Sequence, residues 1–259
     1  MILPLPIVWI FLFLIGSAFG SFLNVVGDRV PRGKSLMGRS HCDFCRRKLS
    51  WYELIPVLSL IFQKGRSRCC GKSLSAQYAV VEAVTGLVFV FLSFLTEFNI
   101  FQIILLYILS SLFIAIIISD FKYHIIPDSF QLIFLISAVI FRFSTIPLSF
   151  DQIFYAVRDG GAVLAPILFL YLITRGKGMG FGDVKLAFCM GVFLGFQKGL
   201  LALYMGFLMG AFVGVLLLVA QRKSMKSKIA FGPFLLAGTV LSFLFGEQLL
   251  STVLRLYGF

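Results

Sequence analysis

Leu105-Leu106-Tyr107-Ile108-Leu109-Ser110-Ser111-Leu112-Phe113-Ile114-Ala115-Ile116-Ile117-Ile118-Ser119-Asp120 is the stretch that decides the fold. It is apolar almost throughout and carries no charge before its last residue. Together with the residues just ahead of it, it is long enough to cross about 30 Å of hydrocarbon as a helix. It ends on a carboxylate. A second carboxylate, Asp183, closes Gly180-Phe181-Gly182-Asp183 and opens another apolar segment. An acid at or inside a bilayer is costly, so each is a functional candidate, and the two together form a candidate acid/base pair.

Outward from that run the same pattern recurs. Stretches long enough to span fall near 4–26, 77–96, 100–120, 126–146, 154–173, 183–197, 199–220 and 230–254. The expected fold is an all-α polytopic membrane protein of about eight transmembrane helices with a small cytoplasmic Cys-containing loop domain. The expected division is a first transmembrane helix at 1–26, the loop domain at 27–76, and a transmembrane core of about seven helices at 77–259. The chain is 59% hydrophobic with mean hydropathy +1.00. Soluble domains lie near 45–50%. No basic residue precedes the first apolar run, as a secretory signal would require, so that run reads as an uncleaved span with the N-terminus outside. No internal repeat or low-complexity segment is evident.

The net charge of +12 could suit nucleic acid or anionic lipid, and its distribution decides between them. Arg29, Arg32, Lys34, Arg39, Arg46, Arg47, Lys48, Lys64, Arg66, Arg68 and Lys72 fall in one hydrophilic loop. Lys122, Arg175, Lys177, Lys185, Arg222, Lys223, Lys226 and Lys228 lie in turns on the same face of the expected topology. Only Arg142, Arg158, Lys198 and Arg255 fall on the other. This is the positive-inside pattern, giving a multi-pass protein with both termini outside and membrane lipid, not nucleic acid, as its partner. Asp120 and Asp183 then share the cytoplasmic side.

Two carboxylates a few ångströms apart cannot both ionise comfortably. The ionised one can take a proton from water while the neutral one polarises a scissile carbonyl. Simpler readings stand beside this. Asp120 could be a helix-end acid or a partner for Lys122, and Asp183 a first-turn acid favoured by the helix dipole. Asp128, after Pro127, reads as the start of a helix. His41 and His124 have no Ser or Cys partner that the sequence identifies, and no His-Glu-x-x-His zinc-protease motif is present.

Six ordered blocks give the chain a resemblance. They are Gly20-Ser21-Phe22-Leu23-Asn24-Val25-Val26 with Arg29 and Pro31; Cys42-Asp43-Phe44-Cys45 followed by Leu49-Ser50-Trp51-Tyr52-Glu53-Leu54-Ile55-Pro56-Val57; Gln77-Tyr78-Ala79-Val80-Val81-Glu82 with Gly86; Asp120 with Ile126-Pro127-Asp128; Gly180-Phe181-Gly182-Asp183-Val184-Lys185; and Phe231-Gly232-Pro233-Phe234. In order and spacing the chain resembles the type IV prepilin leader peptidase/N-methyltransferases, membrane aspartyl proteases of the Gly-x-Gly-Asp type. The resemblance implies that Asp120 and Asp183 are the catalytic pair and that Asp128 is a motif residue. It implies cleavage of the basic leader of type IV prepilins and pseudopilins at the cytoplasmic face of the bacterial inner membrane. It also implies methylation of the new N-terminus with S-adenosylmethionine. No Rossmann-type turn marks a site for that cofactor; Gly176-Lys177-Gly178-Met179-Gly180 has no βαβ unit around it. Glu82 reads as a partner for a loop arginine, or by resemblance as structural or methylation-linked.

The family's loop usually carries two Cys-x-x-Cys pairs, a spacing suited to tetrahedral Zn²⁺. Here Cys42, Cys45 and Cys70 are in place. Ser67 occupies the remaining position, and Cys69 is a fourth thiol beside Cys70. The expected metal set is Cys42, Cys45, Cys69 and Cys70, with His41 as an alternative fourth ligand and a degenerate, metal-free loop as a third reading. The loop's large apolar residues are few: Leu36, Trp51, Leu54, Ile55, Val57, Leu58, Ile61 and Phe62. So small a core gains from a metal staple. Cys189 reads as packing. Two rivals remain, an ion- or proton-coupled transporter using the same carboxylates and a peptidase-inactive methyltransferase or assembly factor.

Overall fold

Each long apolar run forms a helix. A computed structural model describes residues 5–38, 40–42, 44–50, 53, 55–56, 59, 62–63, 65–95, 97–144, 149–220 and 229–256. Among them are eight α-helices and no strand. They are α1 (Leu5–Arg29), α2 (Ala76–Leu92), α3 (Ile100–Tyr123), α4 (Asp128–Phe143), α5 (Phe150–Ile173), α6 (Phe181–Leu194), α7 (Phe196–Val219) and α8 (Gly232–Leu256). A short 3-10 turn, Val30–Arg32, follows α1. Of the expected loop apolars, Trp51, Leu54, Val57, Leu58 and Ile61 lie outside the described residues, as do the motif residues Asp43 and Tyr52. So do Arg39, Lys64, Arg222, Lys223, Lys226 and Lys228. Leu36 and Phe62 are exposed rather than part of a loop core.

Five of the helices, α1, α3, α5, α7 and α8, are long and apolar enough to cross a membrane. Helices α2, α4 and α6 are shorter, at 17, 16 and 14 residues. At 1.5 Å per residue α6 spans roughly 21 Å. The large apolar side chains of the long helices point outward, among them Ile104, Phe154, Val157, Phe212 and Val215. Solvent-facing stretches of that size would be untenable in water, and they fit a multi-pass membrane protein.

The chain divides into two compact units, Met1–Ile118 and Ser119–Phe259, with the boundary inside α3. In the first unit α1 packs on α2 through small residues. A Cβ on Gly16 would fall 2.8 Å from the Thr85 carbonyl, and one on Gly20 2.8 Å from the Cα of Glu82. Glycine at i and i+4 thus lets two backbones touch, the usual device where lipid supplies no hydrophobic drive between helices.

The second unit is built around α6. Val184, Leu186, Ala187, Cys189, Met190 and Val192 are all buried, and α4, α5, α7 and α8 pack against it. Its shortness follows from this position, since a helix walled by other helices need not match the lipid thickness. Gly180 is its N-cap. Gly195, at φ 79° and ψ 177°, ends it and starts α7 without a loop. The sequence placed that break at residue 198; glycine's access to φ > 0 puts it three residues earlier. Cys189 is buried with its Sγ 3.6 Å from the Gln131 carbonyl, a packing role as expected.

Candidate active site

Asp120 sits in the last turn of α3 and is 5% exposed. Its Oδ2 accepts a 2.9 Å hydrogen bond from the backbone N–H of Gly232, at the start of α8. A Cβ on Gly232 would stand 2.8 Å from that same oxygen and 3.1 Å from Cδ1 of Ile126. Only glycine lets the chain donate to Asp120 so closely. Just beyond, Ser119 Oγ donates to the Ile125 carbonyl at 2.6 Å, and the His124 N–H to the Asp120 carbonyl at 2.9 Å. These bonds tie the end of α3 into the turn that leads to Pro127 and α4.

Asp183 lies in the first turn of α6 and is 7% exposed. Its carboxylate folds back over the N-cap, with Oδ2 3.4 Å from where a Cβ on Gly180 would stand. Gln131 Nε2 donates to the Gly182 carbonyl at 2.9 Å and so fastens the Gly-Phe-Gly turn to α4. Ile126 lies against both halves of the site: a Cβ on Gly182 would meet its Cβ at 3.3 Å. The two carboxylates lie in one compact unit, and Ile126 packs against a glycine beside each of them, Gly182 and Gly232. Among the described residues no Lys or Arg is within ion-pair distance of either. Asp120 therefore makes no ion pair with Lys122, and Asp183 is a first-turn acid of α6.

Asp128 is the first residue of α4 and pairs with Lys185 at 2.7 Å on the surface. The third buried acid of this unit, Asp159, is neutralised instead. Arg142 reaches its Oδ2 at 2.8 Å and Arg158 its Oδ1 at 2.9 Å, while Arg142 also donates to the Val192 carbonyl of α6 at 3.2 Å. Sequence reasoning missed this cluster, Gln131 and the Gly232 N–H. Phe231-Gly232-Pro233-Phe234 was the one signal available for the last.

In the first unit the four thiols of Cys42, Cys45, Cys69 and Cys70 converge, with all Sγ atoms within 4.8 Å of one another; His41 is not part of the group. Tetrahedral Zn–S bonds of about 2.3 Å place sulfurs about 3.8 Å apart, so the set fits zinc. The fold explains how. Two turns repeat the same hydrogen bonds: Cys42 N to Arg47 O and Arg46 N to Cys42 O in one, Ser67 N to Lys72 O and Gly71 N to Ser67 O in the other. Arg46 and Gly71 both have positive φ, at 61° and 69°, and the flanking bridges pair His41 with Lys48 and Arg66 with Ser73. Ser67 therefore stands where Cys42 stands in the first turn. Cys69 lies one residue before Cys70 and 3.0 Å from both Ser67 Oγ and Cys45 Sγ, and so supplies the missing sulfur. Backbone N–H groups, that of Cys45 first, hold the Cys42 thiol down to about 6, which favours the thiolate that a metal needs.

A multi-pass helical membrane protein with two acids buried at helix ends, neither held by a Lys or Arg among the described residues, and a four-thiol cluster in a separate unit is the class that fold and site define. Comparison with known proteins narrows that class. The Bacterial Peptidase A24 N-terminal domain matches residues 14–96, and the Type IV leader peptidase family matches residues 107–215. A prepilin leader peptidase/N-methyltransferase of Bacillus subtilis (strain 168) is 33% identical over 251 residues, covering 95% of this chain and 97% of that protein. One of Klebsiella pneumoniae is 34% identical over 201 residues, covering 74% and 88%. One of Myxococcus xanthus (strain DK1622) is 33% identical over 229 residues, covering 85% and 66%. No solved structure matches. The chain belongs to the prepilin leader peptidase/N-methyltransferase family.

Proposed function

We propose that this protein is an aspartyl endopeptidase of the bacterial inner membrane that removes the leader from type IV prepilins or pseudopilins at the cytoplasmic face and then N-methylates the new N-terminus. Asp120 and Asp183 are the acid pair. The observation that carries this is a contrast within one unit: Asp159 is buried and neutralised by two arginines, whereas Asp120 and Asp183 are buried with neither Lys nor Arg beside them among the described residues. Burying an unpaired acid costs stability, and such a cost is retained where chemistry needs the group.

The pair works by sharing a proton. The charged member draws a proton from water as the oxygen attacks the peptide carbonyl, and the neutral member protonates the carbonyl oxygen. The Gly232 N–H fixes one oxygen of Asp120 and leaves the other to the substrate side. Asp183 sits in the first turn of α6, folded back over Gly180, where the helix dipole favours negative charge. The bare Gly180-Phe181-Gly182 backbone gives an extended substrate room to approach.

The four thiols are assigned to a structural Zn²⁺ that staples the two turns of the loop. S-adenosylmethionine supplies the methyl group when bound. The pair is tested by cleavage of a prepilin by purified protein in detergent, with Asp120→Asn and Asp183→Asn. Each should lower the rate by about 10²–10⁴ while the protein stays folded. Cleavage at near the native rate in either variant would remove that residue from the mechanism.

A further inference from the structure

The first unit holds a cavity of about 190 Å³ between α1, α2 and the cysteine turns, with Asn24, Arg29, Cys42, Ser67, Tyr78 and Glu82 in its wall. Asn24 is 4% exposed. Its Nδ2 donates to two carbonyls, Gly20 O at 3.2 Å and Tyr78 O at 3.3 Å. Those bonds fix the amide's orientation, since carbonyls can take only the nitrogen end. Its Oδ1 is buried with no hydrogen-bond partner. A buried acceptor left unmade is expensive and calls for a donor.

The cavity carries both signs of charge. Glu82 on α2 is 7% exposed. Arg29 closes α1, where its Nη1 spans the Ser35 and Leu36 carbonyls at 3.3 Å each, which holds the guanidinium at the rim. An N–H acceptor, the carboxylates of Glu82 and Glu53 and a held guanidinium in one wall are the groups that match a zwitterion. The volume lies below the roughly 300–1,000 Å³ of pockets that swallow a drug-sized ligand. It suits an amino-acid headgroup with the rest of the molecule at the mouth.

We propose that this cavity binds the α-amino-acid end of the methyl donor S-adenosylmethionine, with Asn24 Oδ1 and Glu82 receiving its ammonium group and Arg29 its carboxylate. The proposal rests on the N-methyltransferase reading above and places that activity's donor site in the first compact unit. A peptide N-terminus shares the ammonium but has no adjacent carboxylate, so Arg29 favours the donor.

The test is equilibrium binding to purified full-length protein in detergent with two probes. S-adenosylhomocysteine has the amino-acid end, and 5′-methylthioadenosine lacks it. Wild type should prefer the first by tenfold or more. Glu82→Gln and Asn24→Leu should each weaken S-adenosylhomocysteine about tenfold and leave 5′-methylthioadenosine unchanged, which also shows that the variants are folded. Equal loss of both probes in Glu82→Gln, Asn24→Leu and the milder Arg29→Lys would overturn the assignment of the amino-acid end. Unchanged binding of both would overturn the site. Unchanged donor binding with a raised KM for a pre-cleaved peptide acceptor would assign the cavity to the peptide amine instead. Wild-type protein that neither methylates such a peptide nor binds either probe would overturn the methyltransferase reading itself. A wild type that methylates while the variants bind normally overturns only this site.

Discussion

Asp159 and Asp120 are buried to nearly the same degree, 4% and 5% exposed, in opposite surroundings. Removing Arg142 leaves Asp159 with only the more exposed Arg158 and frees the Val192 carbonyl of α6, so Arg142→Leu should cost about 1–3 kcal/mol, read as a lower midpoint of unfolding in detergent. Asp120→Asn has the opposite expectation. The amide oxygen can still accept from Gly232, and the cost of burying an ionisable group disappears. Stability should hold or rise while cleavage is lost, the trade expected where a strained site serves function. Thermal unfolding of the two variants side by side checks both signs. A midpoint for Asp120→Asn well below native would make Asp120 a structural acid.

Elements rather than single residues decide the cysteine loop. Ser67 and Cys42 occupy equivalent places in two turns with the same hydrogen bonds, so a thiol at position 67 could ligate from the second turn just as Cys69 does now. Cys69→Ser should therefore lose bound zinc, and the double change Ser67→Cys with Cys69→Ser should regain it; metal content by mass spectrometry decides. Zinc retained in Cys69→Ser would return the fourth position to another ligand. At α7 and α8 the packing is closer still. A Cβ on Gly238 would fall 2.2 Å from the Ala202 carbonyl, a backbone atom that cannot yield. Gly238→Ala should force the helices apart at a cost of about 1–3 kcal/mol, again visible in thermal unfolding. Helix positions were legible because a helix rising about 1.5 Å per residue needs a long uncharged run to cross hydrocarbon. The two acids were legible because such runs tolerate few charges. What was not legible involved partners chosen by packing. Arg142 finds Asp159 across the α4–α5 connection, and Gln131 finds the Gly182 carbonyl 51 positions away. Neither pairing leaves a periodic trace. Gly195 was misread for a related reason, since one glycine at φ 79° replaces a loop that composition would have flagged.

At the scale of the whole molecule the candidate sites are divided between two compact units: Asp120 and Asp183 in the second, the thiol cluster and the zwitterion-sized cavity in the first. Two activities on one substrate end then need both sites open to one compartment, and the charge distribution says which. Apart from Arg142, Arg158, Lys198 and Arg255, the chain's 23 Lys and Arg lie in segments assigned to one face. Two of the exceptions are held by Asp159, and Lys198 pairs with Glu247 at 3.0 Å. Pairing lowers their weight in setting orientation and strengthens the bias of the rest toward the cytoplasm. An impermeant maleimide applied to intact cells tests this without disturbing the fold. On the proposed orientation the native thiols, including exposed Cys45 and Cys70, should stay unlabelled. Phe150→Cys, at a position 84% exposed where α5 begins, should label, and Lys177→Cys, in the turn before α6, should not. Labelling of Lys177→Cys and of the native loop thiols, with Phe150→Cys silent, would invert the molecule. The acid pair would then face away from the compartment in which prepilin leaders lie, and the peptidase assignment would fall with the orientation.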